Sequence, residues 1–324
     1  MNLRGATIVI TGASSGIGRE TALRLASRGA NVVVAARRGD PLQEVVDECR
    51  RRGGDALGLT IDVADEAAVR TLRDAAIERF GAIDGWVNNA SVSLIGPFES
   101  LPPDAFRRTL EVNFLGVVNG CRAALEAFRR TGRGTIVNVA SLAGCIGAPY
   151  YTAYASAKHA VVGFSQSLRM ELEKTGIDVC TVMPAAIDTP FFEHSGNYAG
   201  RPFKPIRPFY QPELVADIIV GLLEHPRREV FAGDVARGSA WLRTISPGLF
   251  ERIYGAMVER DHFLREPAPP GNGNVFEPVP WGTSVHGGWS ERQPSLATAS
   301  RLAGLGAVAA LLGGLALAAT RTRS

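Results

Sequence analysis

Short apolar runs alternate with longer helical stretches through residues 6–183, and this rhythm constrains the fold more than any other feature. Runs rich in Val and Ile at 6–11, 31–36, 56–61, 83–88, 134–140 and 177–183 are predicted to be strands. Between them, 16–28, 42–52, 66–80, 103–130 and 151–174 carry helical spacing. Continuously apolar strands separated by helices imply parallel strands buried on both faces. Right-handed crossovers then give an α/β fold, a three-layer, doubly wound Rossmann-type parallel sheet. A seventh strand is predicted at 229–232, after a helix at 212–224.

Past residue 235 the rhythm stops, and the chain divides into four parts: a body at 1–235, a helical extension at 236–265, an irregular segment at 266–300 and a hydrophobic tail at 301–324. The extension reads as one or two helices, broken at Ser246-Pro247-Gly248. The third part is rich in Pro and Gly, with Trp281, His286 and Trp289 interleaved. It is either draped over the body through its aromatics or a disordered linker. The tail holds 18 uncharged residues at 302–319. As a helix these span ~27 Å, close to the ~30 Å of a bilayer core. Arg301 and Arg321/Arg323 bracket them. The tail is therefore expected to be a transmembrane helix anchoring the protein, the alternative being a soluble or interfacial helix. The bracketing arginines leave its topology open.

With 46% hydrophobic and 21% charged residues, the composition excludes a disordered chain and a collagen. The net charge is +3, and Arg301, Arg321 and Arg323 account for all of it. A formally neutral body argues against nucleic-acid binding. Cys49, Cys121, Cys145 and Cys180 show no C-x-x-C spacing, so neither a metal site nor a redox dithiol is expected. Nothing in residues 2–10 resembles a signal peptide, so the body is expected to be cytoplasmic.

The first predicted strand runs into Thr11-Gly12-Ala13-Ser14-Ser15-Gly16-Ile17-Gly18 and then a helix. Glycines allow a tight turn and close approach of backbone to a pyrophosphate, which the N–H groups of the helix N-terminus can receive. The second strand ends Val34-Ala35-Ala36-Arg37-Arg38. An acid at that tip would bind a ribose 2′-hydroxyl and repel a 2′-phosphate. Two guanidiniums stand there instead, which favours NADP(H), unless they are merely solvated.

Tyr154 and Lys158 stand four apart, on one face of a helix. A nearby ammonium favours phenolate and should lower the tyrosine pKa towards usefulness as an acid/base. Ser141, at the end of the fifth long strand, offers a hydroxyl for a substrate oxygen.

At this point the chain resembles the short-chain dehydrogenase/reductase family, in its compact single-domain branch. The resemblance covers about residues 4–235 and rests on the glycine turn, Asp62-Val63, Asn88-Asn89-Ala90, Asn113, Ser141, Tyr154 and Lys158, in order. It implies that the body is the NADP-binding catalytic domain. It gives the pyrophosphate turn to Gly12, Ser14, Ser15, Gly16, Ile17 and Gly18, and the adenosine end to Arg37, Arg38, Asp62 and Val63. Asn88 and Ala90 would line the middle of the cofactor, and Pro184, Ile187 and Thr189 the nicotinamide end. Tyr154 would move the proton, Lys158 would bind the ribose and tune Tyr154, Ser141 would orient the substrate, and Asn113 would support a water relay. The chain departs from the family pattern at Ser91 and Ala185, where glycine is common.

The implied function is an NADP(H)-dependent oxidoreductase that interconverts a lipophilic ketone or aldehyde with its alcohol. An NAD-dependent dehydrogenase and a non-catalytic membrane scaffold are the alternatives. The segment 189–212 holds Phe191, Phe192, Tyr198, Phe203, Phe209 and Tyr210, either as a lid over an apolar substrate or as packing. Cys145 and His159 are given no catalytic part. Homo-oligomers are expected through the helices at 103–130 and 151–174.

Overall fold

A computed structural model describes residues 1–292 of the chain. The 302–319 stretch expected to span a membrane lies outside the described residues.

The strands are Thr7–Thr11 (β1), Asn31–Ala36 (β2), Ala56–Thr60 (β3), Gly85–Asn88 (β4), Leu94–Ile95 (β5), Arg133–Val139 (β6), Gly176–Pro184 (β7), Gly196–Asn197 (β8) and Glu229–Ala232 (β9). Helices lie between and after them: Gly16–Ser27 (α1), Gly39–Arg51 (α2), Glu66–Phe80 (α3), Pro103–Leu110 (α4), Gly116–Thr131 (α5), Thr152–Glu171 (α6), Phe191–His194 (α7), Pro212–Glu224 (α8), Asp234–Ile245 (α9), Pro247–Asp261 (α10) and Trp289–Arg292 (α11). Seven strands form one parallel sheet in the order β3-β2-β1-β4-β6-β7-β9. β5 and β8 make a separate two-stranded pair. The predicted doubly wound sheet is thus present.

β2 shows why its sequence is apolar throughout. Val32 and Val34 enter the core packed by α1, α2 and α8, while Val33 and Ala35 enter the core on the opposite face, packed by α3, α5 and α6. Alternate side chains leave a strand on opposite faces, so a strand covered twice needs an unbroken apolar run. Local signals set the helix ends. The Asp65 carboxylate accepts from the N–H groups of Ala67 and Ala68 at the start of α3. Gly132 closes α5 in the left-handed conformation, with φ 72°.

The helix expected over 103–130 is not continuous: a π-helical turn, Glu111–Leu115, separates α4 from α5 and contains Asn113. The extension past 235 forms α9 and α10, meeting at Ser246-Pro247. A third, small core of Ile95, Val258 and Phe263, flanked by Tyr150, Tyr151 and Tyr254, joins α10 to the body. Among the described residues no helix is long and apolar enough to cross a membrane.

Candidate active site

The strand order reverses between β1 and β4, and the crevice at their carboxyl ends is where an open α/β sheet offers a ligand site. A cavity of about 310 Å³ opens there. Its wall includes Gly12, Ser14, Ser15, Gly16, Ile17, Arg37, Arg38, Asp62, Val63, Ala90, Ser141, Tyr154, Lys158, Pro184, Ile187 and Thr189. Three residues singled out in the sequence do not line it: Gly18, Asn88 and Asn113.

The turn after β1 is locked to the loop after β4. The Thr11 hydroxyl accepts from the N–H groups of Asn89 and Ala90, at 3.1 and 3.2 Å. The Asn89 amide donates to the carbonyls of Thr11 and Gly12, at 3.0 and 3.2 Å. Gly18 is required by packing: a Cβ there would lie 2.4 Å from the Gly12 carbonyl oxygen. Asn88 faces away from the cavity into a buried chain of amides. It accepts from Trp86 Nε1 at 2.9 Å and donates to Asn138 Oδ1 at 2.9 Å, and Asn138 donates on to Ser165 Oγ at 2.9 Å. Asn89, one residue on, lines the cavity instead. A shift of one residue changes the face a side chain occupies, which accounts for the misplacement.

Asn113 is fully buried, and its side chain is committed to the 91–92 backbone and hydroxyl. Its Oδ1 accepts from Val92 N–H at 2.8 Å and from Ser91 Oγ at 3.2 Å, while its Nδ2 donates to the Val92 carbonyl at 2.7 Å. The side chain expected to support a water relay therefore holds the loop that frames the cavity. Asp62 is ion-paired with Arg108 and accepts from Ala64 N–H at 3.0 Å.

Ser141, Tyr154 and Lys158 converge at the other end of the cavity. Lys158 is 2% exposed, its Nζ donates to the Val139 carbonyl at 2.9 Å and lies 5.6 Å from the centre of the Tyr154 ring. Burial pulls the ammonium down to about 7. It pushes the Tyr154 phenol up to about 12, against the smaller downward pull of a hydrogen bond with Ser141. The expected lowering of Tyr154 by Lys158 is thus not found in the protein alone. The ammonium sits over the ring and is turned to a backbone carbonyl, and desolvation of the phenol dominates.

The substrate side is closed by Phe191 together with residues the sequence did not single out. Tyr151 donates to His262 Nε2 at 2.8 Å, with the tautomer fixed by His262 Nδ1 donating to the Lys204 carbonyl at 2.6 Å. Burial holds the His262 imidazole down to about 4, so it is neutral. Tyr254, Val258, Ile206 and Phe191 complete an apolar wall. Of the aromatics in 189–212, Phe191 and Phe192 reach the cavity. Phe203 packs on His262, and the Tyr198 hydroxyl donates to Asn272. Cys145 is a packing residue, its sulfur 3.3 Å from that of Met183.

The segment 274–284 crosses the cavity as a strap. Arg37 donates to the carbonyls of Asn274, Val275 and Phe276, and Arg38 to those of Val279, Trp281 and Gly282. Gly16 N–H, at the start of α1, donates to the Ser284 carbonyl at 3.0 Å. The two arginines expected to meet a phosphate are therefore occupied by neutral acceptors. Trp289 is buried, which agrees with the draped alternative for this segment.

Comparison with known proteins gives the same assignment. The short chain dehydrogenase family model matches residues 6–198. The chain is 39% identical over 274 residues to the uncharacterized oxidoreductase YxnA of Bacillus subtilis, covering 83% of this chain and 76% of that one. A short chain dehydrogenase/reductase from Burkholderia phymatum, solved with NAD, superposes with a TM-score of 0.69 at 26% identity, covering 77% of this chain and 96% of its own. An alcohol dehydrogenase from Thermococcus sibiricus, complexed with 5-hydroxy-NADP, gives 0.62 at 29% identity, with coverage of 70% and 95%. The chain belongs to the short-chain dehydrogenase family.

Proposed function

We propose that this short-chain dehydrogenase uses NADP(H) to interconvert a lipophilic ketone or aldehyde with its alcohol. The observation that carries the reading is one cavity with the glycine turn and two arginines at one end and Ser141, Tyr154 and Lys158 at the other. Its donors fit a dinucleotide: backbone N–H groups at a helix N-terminus, serine hydroxyls and guanidiniums match phosphates and ribose. The pairing of Arg37-Arg38 with no acid at the end of β2 favours the 2′-phosphorylated form.

The bound nicotinamide supplies or accepts the hydride. Ser141 donates to the substrate oxygen and fixes it beside Tyr154. In reduction, Tyr154 gives its phenolic proton to that oxygen. In oxidation the same group takes the proton back. Lys158 follows Tyr154 by one helical turn and replaces its proton. The wall formed by Phe191, Tyr254 and Val258 excludes water and has no charged group for an ionic substrate, which supports a lipophilic one.

The outer face of α9 and α10 exposes Trp241, Ile245, Leu249 and Ile253, while Tyr254 and Val258 of α10 face the cavity. That arrangement supports membrane attachment beside the substrate mouth, with 302–319 as the anchor. Sedimentation with vesicles of the full chain, against a chain ending at residue 292, tests it; equal sedimentation removes the anchor. Exposed Leu115 and Met170 support pairing of subunits, checked by light scattering.

Oxidation of NADPH by the full chain in detergent, with a panel of lipophilic carbonyls, tests the activity. Turnover with NADPH and little with NADH is the expected result. Preference for NADH would move the reading to the NAD-dependent alternative. Tight NADPH binding without turnover, indifferent to Tyr154→Phe, would leave the scaffold.

A further inference from the structure

The strap is held unevenly. At one end Val275 is fully buried and Asn274 N–H donates to the His194 carbonyl at 2.8 Å. At the other, the N–H groups of Trp289 and Ser290 donate to the two Asp188 carboxylate oxygens, each at 2.9 Å. Between these anchors the path is pinned largely by donors of the dinucleotide groove. A guanidinium has five N–H donors. Every nitrogen of Arg38 is engaged: Nε with Ser14 Oγ, Nη2 with Ser14 and Ser15 Oγ, and Nη1 with the strap. Arg37 Nη1 donates to the Phe276 carbonyl of the strap, while its Nη2 donates to the carbonyl of the anchored Asn274.

Each of these strap acceptors is an uncharged carbonyl. A phosphate offers charged oxygens, which add ion–ion attraction and bidentate pairing that an uncharged carbonyl lacks. A ribose hydroxyl has no such advantage over a carbonyl. The strap carbonyls are therefore displaced from the guanidiniums more readily by a 2′-phosphate than by a 2′-hydroxyl.

We propose that residues 276–284 set the discrimination between 2′-phosphorylated and unphosphorylated dinucleotides, by competing with the 2′-phosphate for Arg37 and Arg38. The inference rests on the groove being a dinucleotide site. A 2′-phosphate takes the guanidiniums and the strap lifts between its two anchors. A dinucleotide lacking that phosphate displaces only the Ser284 carbonyl from Gly16 N–H, where the pyrophosphate binds, and leaves the carbonyls of Phe276, Val279, Trp281 and Gly282 on the arginines. The preference of the intact protein for the phosphorylated form is thus smaller than two unencumbered arginines would give.

The test is fluorescence titration of the full chain and its Gly282→Ala variant with NADPH and with NADH. At Gly282 φ is +66° and an added Cβ would lie 2.3 Å from His194 Nε2, so the substitution unseats the strap beside Trp281. Gly282→Ala should tighten NADPH by about tenfold and move NADH by less than about threefold. Hydrogen exchange on the unaltered chain is independent of that variant's folding: the 276–284 amides should exchange faster with NADP⁺ than with NAD⁺. An unchanged NADPH-to-NADH ratio in Gly282→Ala overturns the inference. So does protection of 276–284 by NADP⁺, which would make the strap a roof laid on the cofactor. Failure of the unaltered chain to bind either nucleotide overturns the dinucleotide reading, and the strap's role with it.

Discussion

The two ends of the cavity treat charge in opposite ways. At the phosphate end, Arg37 and Arg38 are surrounded by carbonyl and hydroxyl acceptors. At the catalytic end, Lys158 lies deeper than the half-buried arginines and donates to a single carbonyl, and burial pulls it down to about 7. The first end is nearly complete without a ligand, and a ligand must displace something to bind. The second is left short of partners, and a ligand supplies what is missing. Satisfied groups confer order, while unsatisfied ones are poised to titrate.

Four changes would break or sharpen this contrast. Tyr154→Phe removes the group proposed to pass a proton to the substrate oxygen, and turnover should fall by about 10²–10⁴-fold with dinucleotide affinity kept, as read by steady-state rates and titration. Loss of affinity in step with rate would mean that Tyr154 serves binding instead.

Lys158→Met should abolish turnover yet stabilise the protein without ligand, raising Tm by at least about 2 °C at pH 6. The folded pKa of Lys158 is lowered from 10.5 to about 7. Below pH 7 the folded state holds a buried ammonium and carries the full penalty. Between there and 10.5 the unfolded chain binds more protons, so stability rises with pH and the penalty fades. The gain from Lys158→Met should shrink over that same interval; a gain that does not vary with pH would show that the ammonium is not the cause.

Tyr151→Phe leaves His262 Nε2 buried without its donor and should cost ~1–3 kcal/mol in urea unfolding. No cost would mean that the wall of the substrate side tolerates an unpaired imidazole. Arg37→Ala should weaken NADPH by less than ~1.5 kcal/mol, since the carbonyls of the strap already hold the same donors. A much larger loss would contradict the saturated picture of the phosphate end.

Legibility in the sequence followed the kind of atom involved. β2 was readable because both its faces are buried and its side chains say so. Tyr154 and Lys158 were readable because helical spacing places them together. Asn88 and Asn89 were harder, because two identical amides in succession go to opposite destinations. The π turn at 111–115 leaves no compositional mark, since one extra residue in a helical winding alters no residue type. The strap was least legible: its grip on Arg37 and Arg38 is through backbone carbonyls, which every residue possesses.

Tyr151 and His262 join the catalytic helix to chain that the sequence rhythm had set apart. The boundary near residue 235 is therefore a seam in pattern and not a hinge between independent units. A chain cut there would lose the partner of Tyr151 and the burial of Val258 and Phe263, opening one wall to solvent. Heat should melt residues 1–292 in one cooperative step.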